Sequence, residues 1–201
     1  MNNSIINRFT AGIRHGMLAL TVLTAGASYA VAQDEHAHMQ MNPMAHRQSN
    51  SNGAFLNIVR DATARFKDVN TAIAEGYVLQ FGCVTGSDSG AMGLHYVNGD
   101  LVNSGVLDPT RPQIIIYEPM PDGSVKLIGA DYLVIADTWN KTHSGAPEMM
   151  GQLFHLFEAP NRFGLPAFYT LHVWAWKDNP NGAFVNWHPD VSCASYGGSN
   201  R

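Results

Sequence analysis

Three histidines, His95, His172 and His188, stand inside apolar, strand-forming stretches of this 201-residue chain. Neutral imidazoles make a zinc or copper site when two or three of them converge on one platform. Glu118, Asp131 and Glu158 are the carboxylates placed to join them, as a ligand or as the acceptor that orients an imidazole N–H. Met92 offers a thioether, a soft donor suited to copper. A second set of donors lies nearer the N-terminus, where His36, His38, Met39, Met41, Met44 and His46 crowd a polar segment. Imidazoles there suit Cu(II), Zn or Ni and thioethers suit Cu(I). Each core histidine taken singly is more often a hydrogen-bonded interior residue than a ligand. The folded part contains no H-x-H, H-E-x-x-H or C-x-x-C, so the metal signal is spread over distant residues rather than held in one motif.

Other chemistries fare less well. A blue-copper site needs a thiolate, two histidines and a weak axial methionine. Cys193 is followed only by ASYGGSNR, with no histidine or methionine. Ser89, Ser104 and Ser144 lie in loops and none sits in G-x-S-x-G. Asp137 or Asp190 could orient a histidine, but no nucleophile–base pair follows from the sequence. Glu118 with Asp131 as a glycosidic acid pair is weaker than their reading as strand-end charges. Trp174 and Trp176 would share a strand face, and core packing accounts for them before a sugar-sized pocket does.

The elements that must position these residues begin with a helix over 55–74. Phe55, Val59, Ala62, Phe66, Val69 and Ile73 recur at spacings of three and four residues and mark one buried face. Ser51 or Asn52 can cap its start, and Gly76 can take the left-handed position past its end. Strands are expected at 77–81, 94–97, 113–118, 124–128 and 131–136, with Gly129 as a possible bulge. Residues 139–166 read as irregular. From 168 onward the pattern predicts a long hairpin turning at DNPNG. Phe168, Thr170, His172, Trp174 and Trp176 lie on one face, and Tyr169, Leu171, Val173 and Ala175 on the other. Pairing Trp176 with Phe184 would set His172 opposite His188. One long amphipathic helix packed on a mainly antiparallel sheet with a C-terminal hairpin is an α+β fold.

Residues 1–32 have the layout of a secretory signal peptide. Arg8 and Arg14 precede an apolar run too short to span a bilayer, and Ala30-Val31-Ala32 offers a cleavage site. Residues 33–52 lack hydrophobic periodicity and read as a disordered His/Met-rich tail, leaving 53–201 as a single globular domain. The formal net charge is −4 and no Lys/Arg cluster exists, which argues against nucleic acid as a partner. No later segment has the apolar length of a membrane span. Cys83 and Cys193, an even count in an exported chain, are expected to form one disulfide.

The segments GAMGLHYVN, LDPTRPQIIIYEP, GSVKLIGADY and LHVWAWKDNPNGAFVNWHPDVSC resemble a group of uncharacterised exported proteobacterial proteins. That resemblance implies export and a single domain and carries no activity. The sequence therefore points to a periplasmic or secreted metal-binding protein, with copper favoured and zinc the alternative. A site of His95, His172 and His188 on the sheet would bind the metal ion. A small-ligand or interaction module without metal is the second reading, and a hydrolase the third.

Overall fold

The computed structural model describes residues 43–199 apart from Ser87, with side chains from Ser51 onward. The segment read as a signal peptide and His36, His38, Met39 and Met41 lie outside the described residues. Met44 and His46 fall in the first turns of a helix, and their side chains are not described.

Helix α1 runs Pro43–Thr63, so it begins inside the segment expected to be a tail, with Pro43 at its first position. The helix expected over 55–74 is broken into three. After α1 come a 3₁₀ turn at Ala64–Lys67 and a short helix α2 at Val69–Ala74. Asp68 causes the break. Its backbone is extended (φ −89°, ψ 110°) and its side chain accepts from Asn70 N, which caps α2 as a new start. The interruption changes the helical phase. Phe55, Val59 and Phe66 are buried as the periodicity predicts, but beyond the break Ala72 is buried and Ile73 is 51% exposed. Gly76 does sit at φ +90° just past the end.

Strands β1 (Tyr77–Thr85), β2 (Ala91–Asn98), β3 (Ile114–Pro119), β4 (Val125–Ile135), β7 (His155–Phe157) and β8 (Phe168–Val173) form one sheet in the order β1-β2-β3-β4-β8-β7. Every pairing in it is antiparallel. Helix α3 (Gly99–Ser104) follows β2, helix α4 (Ala136–Trp139) follows β4, and β5 (Glu148–Met149) and β6 (Gln152–Leu153) make a separate small ribbon. The stretch read as irregular therefore contains an edge strand of the main sheet, β7, whose three residues are too few to show a period.

β4 is one strand where two were expected. Ile128 is its extra residue, because Ile116 pairs with Gly129 and Tyr117 with Leu127. Gly129 is required beside it, since a Cβ there would lie 2.6 Å from Val173 O. A second irregularity interrupts β1 between Gln80 and Cys83, where Phe81 and Gly82 take φ +66° and +67°.

β8 is buried along its whole length, as its two apolar faces predict. Phe168 and Trp174 belong to one core, with Ile114, Ile116 and Leu133. Tyr169, Leu171 and Val173 belong to the other, with Ala130, Tyr132 and Val134 of β4 and with Phe55 and Val59 of α1. The C-terminal hairpin does not form. β4 and β7 already occupy both edges of β8, so no edge remains for a partner after the DNPNG turn. Residues 174–193 instead run as an irregular strap. Trp174 N donates to Ala183 O, Trp174 Nε1 to Val185 O, and Arg60 Nε of α1 to Ala175 O at 2.6 Å. The strap bridges Ala91 of β2 at His188 and ends in a disulfide between Cys193 and Cys83 of β1. Cross-linking residues 110 apart stabilises the fold by about 4–5 kcal/mol in the chain-entropy account. Among the described residues no helix is long and apolar enough to cross a membrane.

A candidate metal centre on the inner face of the sheet

In a flat sheet β2 and β8, three strand spacings apart, would lie about 14 Å from each other. The bulge at Ile128, in the β3–β4 ladder between them, curls this sheet, because it adds length to one strand without adding it to its neighbour. Gly93 marks how tightly β2 and β3 approach. Its φ is +89°, and a Cβ on it would meet Tyr117 O at 2.5 Å. The curl carries His95 on β2 toward His172 on β8. Their Nε2 atoms are 3.4 Å apart and their rings stand at 74°. Asp131 on β4 is the direct ladder partner of His172, and its Oδ1 is 3.7 Å from His172 Nδ1. One ligand atom from each of the three residues lies within 4.8 Å of the others, and all three residues are buried.

The distance between the two imidazole nitrogens is the one a shared ion would impose. Two ligand nitrogens about 2.05 Å from one tetrahedral ion lie about 3.3 Å apart. The tautomers point the same way. His95 Nδ1 donates to Gly93 O at 3.1 Å, which leaves His95 Nε2 a bare acceptor. If His172 carries its proton on Nδ1, two lone pairs face each other across 3.4 Å. If it carries it on Nε2, the bare Nδ1 faces a carboxylate oxygen instead. The first sets two bare nitrogens face to face and the second sets a bare nitrogen against Asp131, while Asn186 approaches His172 without reaching ordinary hydrogen-bond geometry at Nδ1. A cation between the nitrogens removes the conflict.

Charge balance gives the same result. Burial holds His95 down at about 4, with His172 adding to the effect, and holds His172 down at about 3, with His155 adding. Both are neutral in ordinary conditions, so the Asp131–His172 approach is not an ion pair. Burial pushes Asp131 up to about 6, against the Thr170 hydroxyl, which donates to its Oδ1 at 2.6 Å and favours the charged form. At neutral pH this leaves a buried carboxylate between neutral imidazoles. The Lys/Arg–carboxylate pairs found among the described residues, Arg65 with Glu75 and Lys177 with Glu118, do not involve Asp131. Two neutral histidines and one carboxylate form a ready-made ligand set for a divalent transition metal.

The cluster opens into a cavity of about 30 Å³ whose other walls include Phe81, Met92, Phe157, Phe163 and Phe168. That is room for a water molecule and too little for an organic ligand. Phe81 reaches this wall from a left-handed backbone position and packs edge-on against Phe163, with ring centroids 5.4 Å apart.

The other residues singled out from the sequence lie apart from this centre. His188 belongs to the strap, where Trp174 stands between it and His172, with centroids 5.0 Å from one ring and 6.0 Å from the other. His188 Nδ1 accepts from Asp190 N, so Nε2 carries the proton and offers no lone pair. The expected His172–His188 pairing depended on a hairpin that the filled edges of β8 prevent. Glu118 binds Lys177 Nζ at 2.7 Å and accepts from Ser192 N, tying the strap to β3. Glu158 is exposed on the loop after β7. Both cysteines are in the disulfide, so neither is a ligand. Trp176 donates to Thr63 Oγ1 and packs beneath Lys67, away from the cavity. Asp131 thus joins the two histidines directly, where a supporting role was one of two considered. Thr170 was missed, although it shares a strand face with His172. No protein-family profile matches the chain, and neither the curated proteins nor the solved structures contain a match to it.

Proposed function

We propose that this chain is an exported protein that holds one transition-metal ion through His95, His172 and Asp131, with copper preferred and zinc the alternative. The observation that carries the proposal is the 3.4 Å convergence of two neutral, buried imidazole nitrogens beside a buried carboxylate. Copper is favoured by Met92, a thioether residue that lines the cavity, and by the imidazoles and thioethers at His36, His38, Met39, Met41, Met44 and His46. Export is supported by the signal-like N-terminus and by the disulfide, which persists in oxidising compartments. The small cavity disfavours an organic ligand, and the cluster contains no serine or cysteine nucleophile for a hydrolase.

The test is elemental analysis and calorimetric titration of chain 33–201, alongside a variant lacking 33–52 so that the tail and the sheet site are counted separately. One tight equivalent should remain without the tail, and His172→Ala should remove it. A tail-less protein that takes up no copper or zinc, or that does so equally well as His172→Ala, would exclude the site.

A further inference from the structure

Asp131, His95 and His172 are buried, so an ion needs a way in. The sheet's edge strand supplies a fourth histidine. His155 on β7 is directly opposite Thr170 on β8, so the two side chains share a face, and it is the face that carries Asp131 and His172. Thr170 lines the metal cavity. His155 itself is exposed and lines a separate surface pocket of about 440 Å³ with Asp88, Ser89, Asn186 and Trp187. Asn186 is at the boundary. Its Nδ2 is 3.4 Å from His155 Nδ1, while its buried side chain also approaches His172 on the other side, in an interaction that favours the charged imidazole but falls short of ordinary hydrogen-bond geometry. An exposed imidazole, an exposed carboxylate and a buried amide that approaches both His155 and His172 therefore lead from solvent to the buried cluster.

We propose that this pocket is the entrance to the metal site, and that His155 is a transient ligand that captures a divalent cation and passes it to His172. The inference rests on the metal-binding reading and adds its route. Asp88 concentrates the cation at the mouth, His155 takes it by an imidazole nitrogen, and Asn186 Oδ1 offers an oxygen on the way in. No electron moves in the transfer. One ligand bond to the ion breaks as the next forms.

A group on the path but outside the final ligand set changes both rates and leaves the equilibrium alone. Cu(II) uptake can be followed by stopped-flow quenching of tryptophan fluorescence, since Trp174 is 6.0 Å from His172. Release can be started with a chelator. His155→Ala should slow uptake about tenfold, the lower end of what electrostatic and ligand capture confer, and slow release by the same factor. The dissociation constant should stay within about twofold. Asp88→Asn should lower uptake less and more steeply at low salt. His143→Ala, on an exposed imidazole stacked on Trp139, should change nothing. Unchanged rates in His155→Ala would overturn the route. So would weaker binding with unaltered uptake, which would make His155 a resident ligand. Failure of the unaltered protein to bind Cu(II) at all would instead sink the metal site itself.

Discussion

Asp131→Asn should stabilise the metal-free protein while abolishing tight metal binding, a combination that a purely structural residue would not give. The carboxyl has an ordinary value of 3.8 and is pushed up to about 6 in the fold. At 1.36 kcal/mol per pH unit, keeping it ionised in the folded chain above pH 6 costs about 3 kcal/mol. Asparagine removes that cost and keeps an oxygen for the Thr170 hydroxyl. One poorly placed amide N–H takes back about 1 kcal/mol. The net gain of about 2 kcal/mol is a rise of about 4–8 °C in Tm for a domain of this size. The folded-state value lies above the unfolded one, so the folded chain holds the Asp131 proton more tightly. That stability is full below about pH 4 and is lost as pH rises through 6. The advantage of the variant should therefore be largest above pH 7 and shrink toward zero as pH falls to 4. Thermal melts in chelator at several pH values measure this, and metal titration at pH 7.5 measures the other half. A variant that is less stable at pH 7.5 yet binds metal normally would refute the reasoning, because Asp131 would then be an ordinary satisfied core carboxylate.

Three further outcomes follow from the same geometry. Because His95 and His172 stay neutral down to about 4 and 3, only the Asp131 proton competes with metal near neutrality. The logarithm of the affinity should be flat above pH 6 and fall by about one per pH unit between 6 and 4, and a break near 6.5 would show ordinary histidines instead. His188→Ala empties a fully buried ring site against Trp174 and should cost about 2–4 kcal/mol in urea unfolding, with metal affinity unchanged. Gly93→Ala puts a methyl 2.5 Å from Tyr117 O at φ +89° and shifts the carbonyl that orients His95. It should lower both Tm and metal affinity, whereas loss of Tm alone would separate the strand's packing from the site.

The sequence showed what is local and periodic. The alternation over 168–175 gave the two buried faces of β8 correctly, and Phe55, Val59 and Phe66 are where their spacing puts them. Asp68 was readable as a helix cap, since Asp before a Val-Asn-Thr turn is a start signal, but the unbroken apolar period over 55–73 masked it. The pairing of strands was less legible. A turn as strong as DNPNG argues for a hairpin, yet a turn only reverses the chain, and whether the returning segment becomes a strand depends on a free edge beside it. The edge was taken by His155–Phe157, a strand of three residues inside a stretch without pattern.

That one substitution of neighbours rearranges the site. With β7 in the place the hairpin partner would have taken, His188 moves behind Trp174, and the second imidazole for His172 comes from β2, across the curl of the sheet. The curl arises from a single extra residue, Ile128 beside Gly129, and it has no periodic signature in the sequence. The left-handed pair in β1 brings Phe81 to the cavity wall, where it helps close the apolar shell around His95 and His172. The shell then strengthens every electrostatic term inside it. It keeps the histidines neutral, makes the carboxylate costly to ionise alone, and so favours a cation where two nitrogens and an oxygen already meet. The edge strand that displaced the hairpin also puts His155 on the site's own face at the protein surface, which is why entry and binding would both depend on β7.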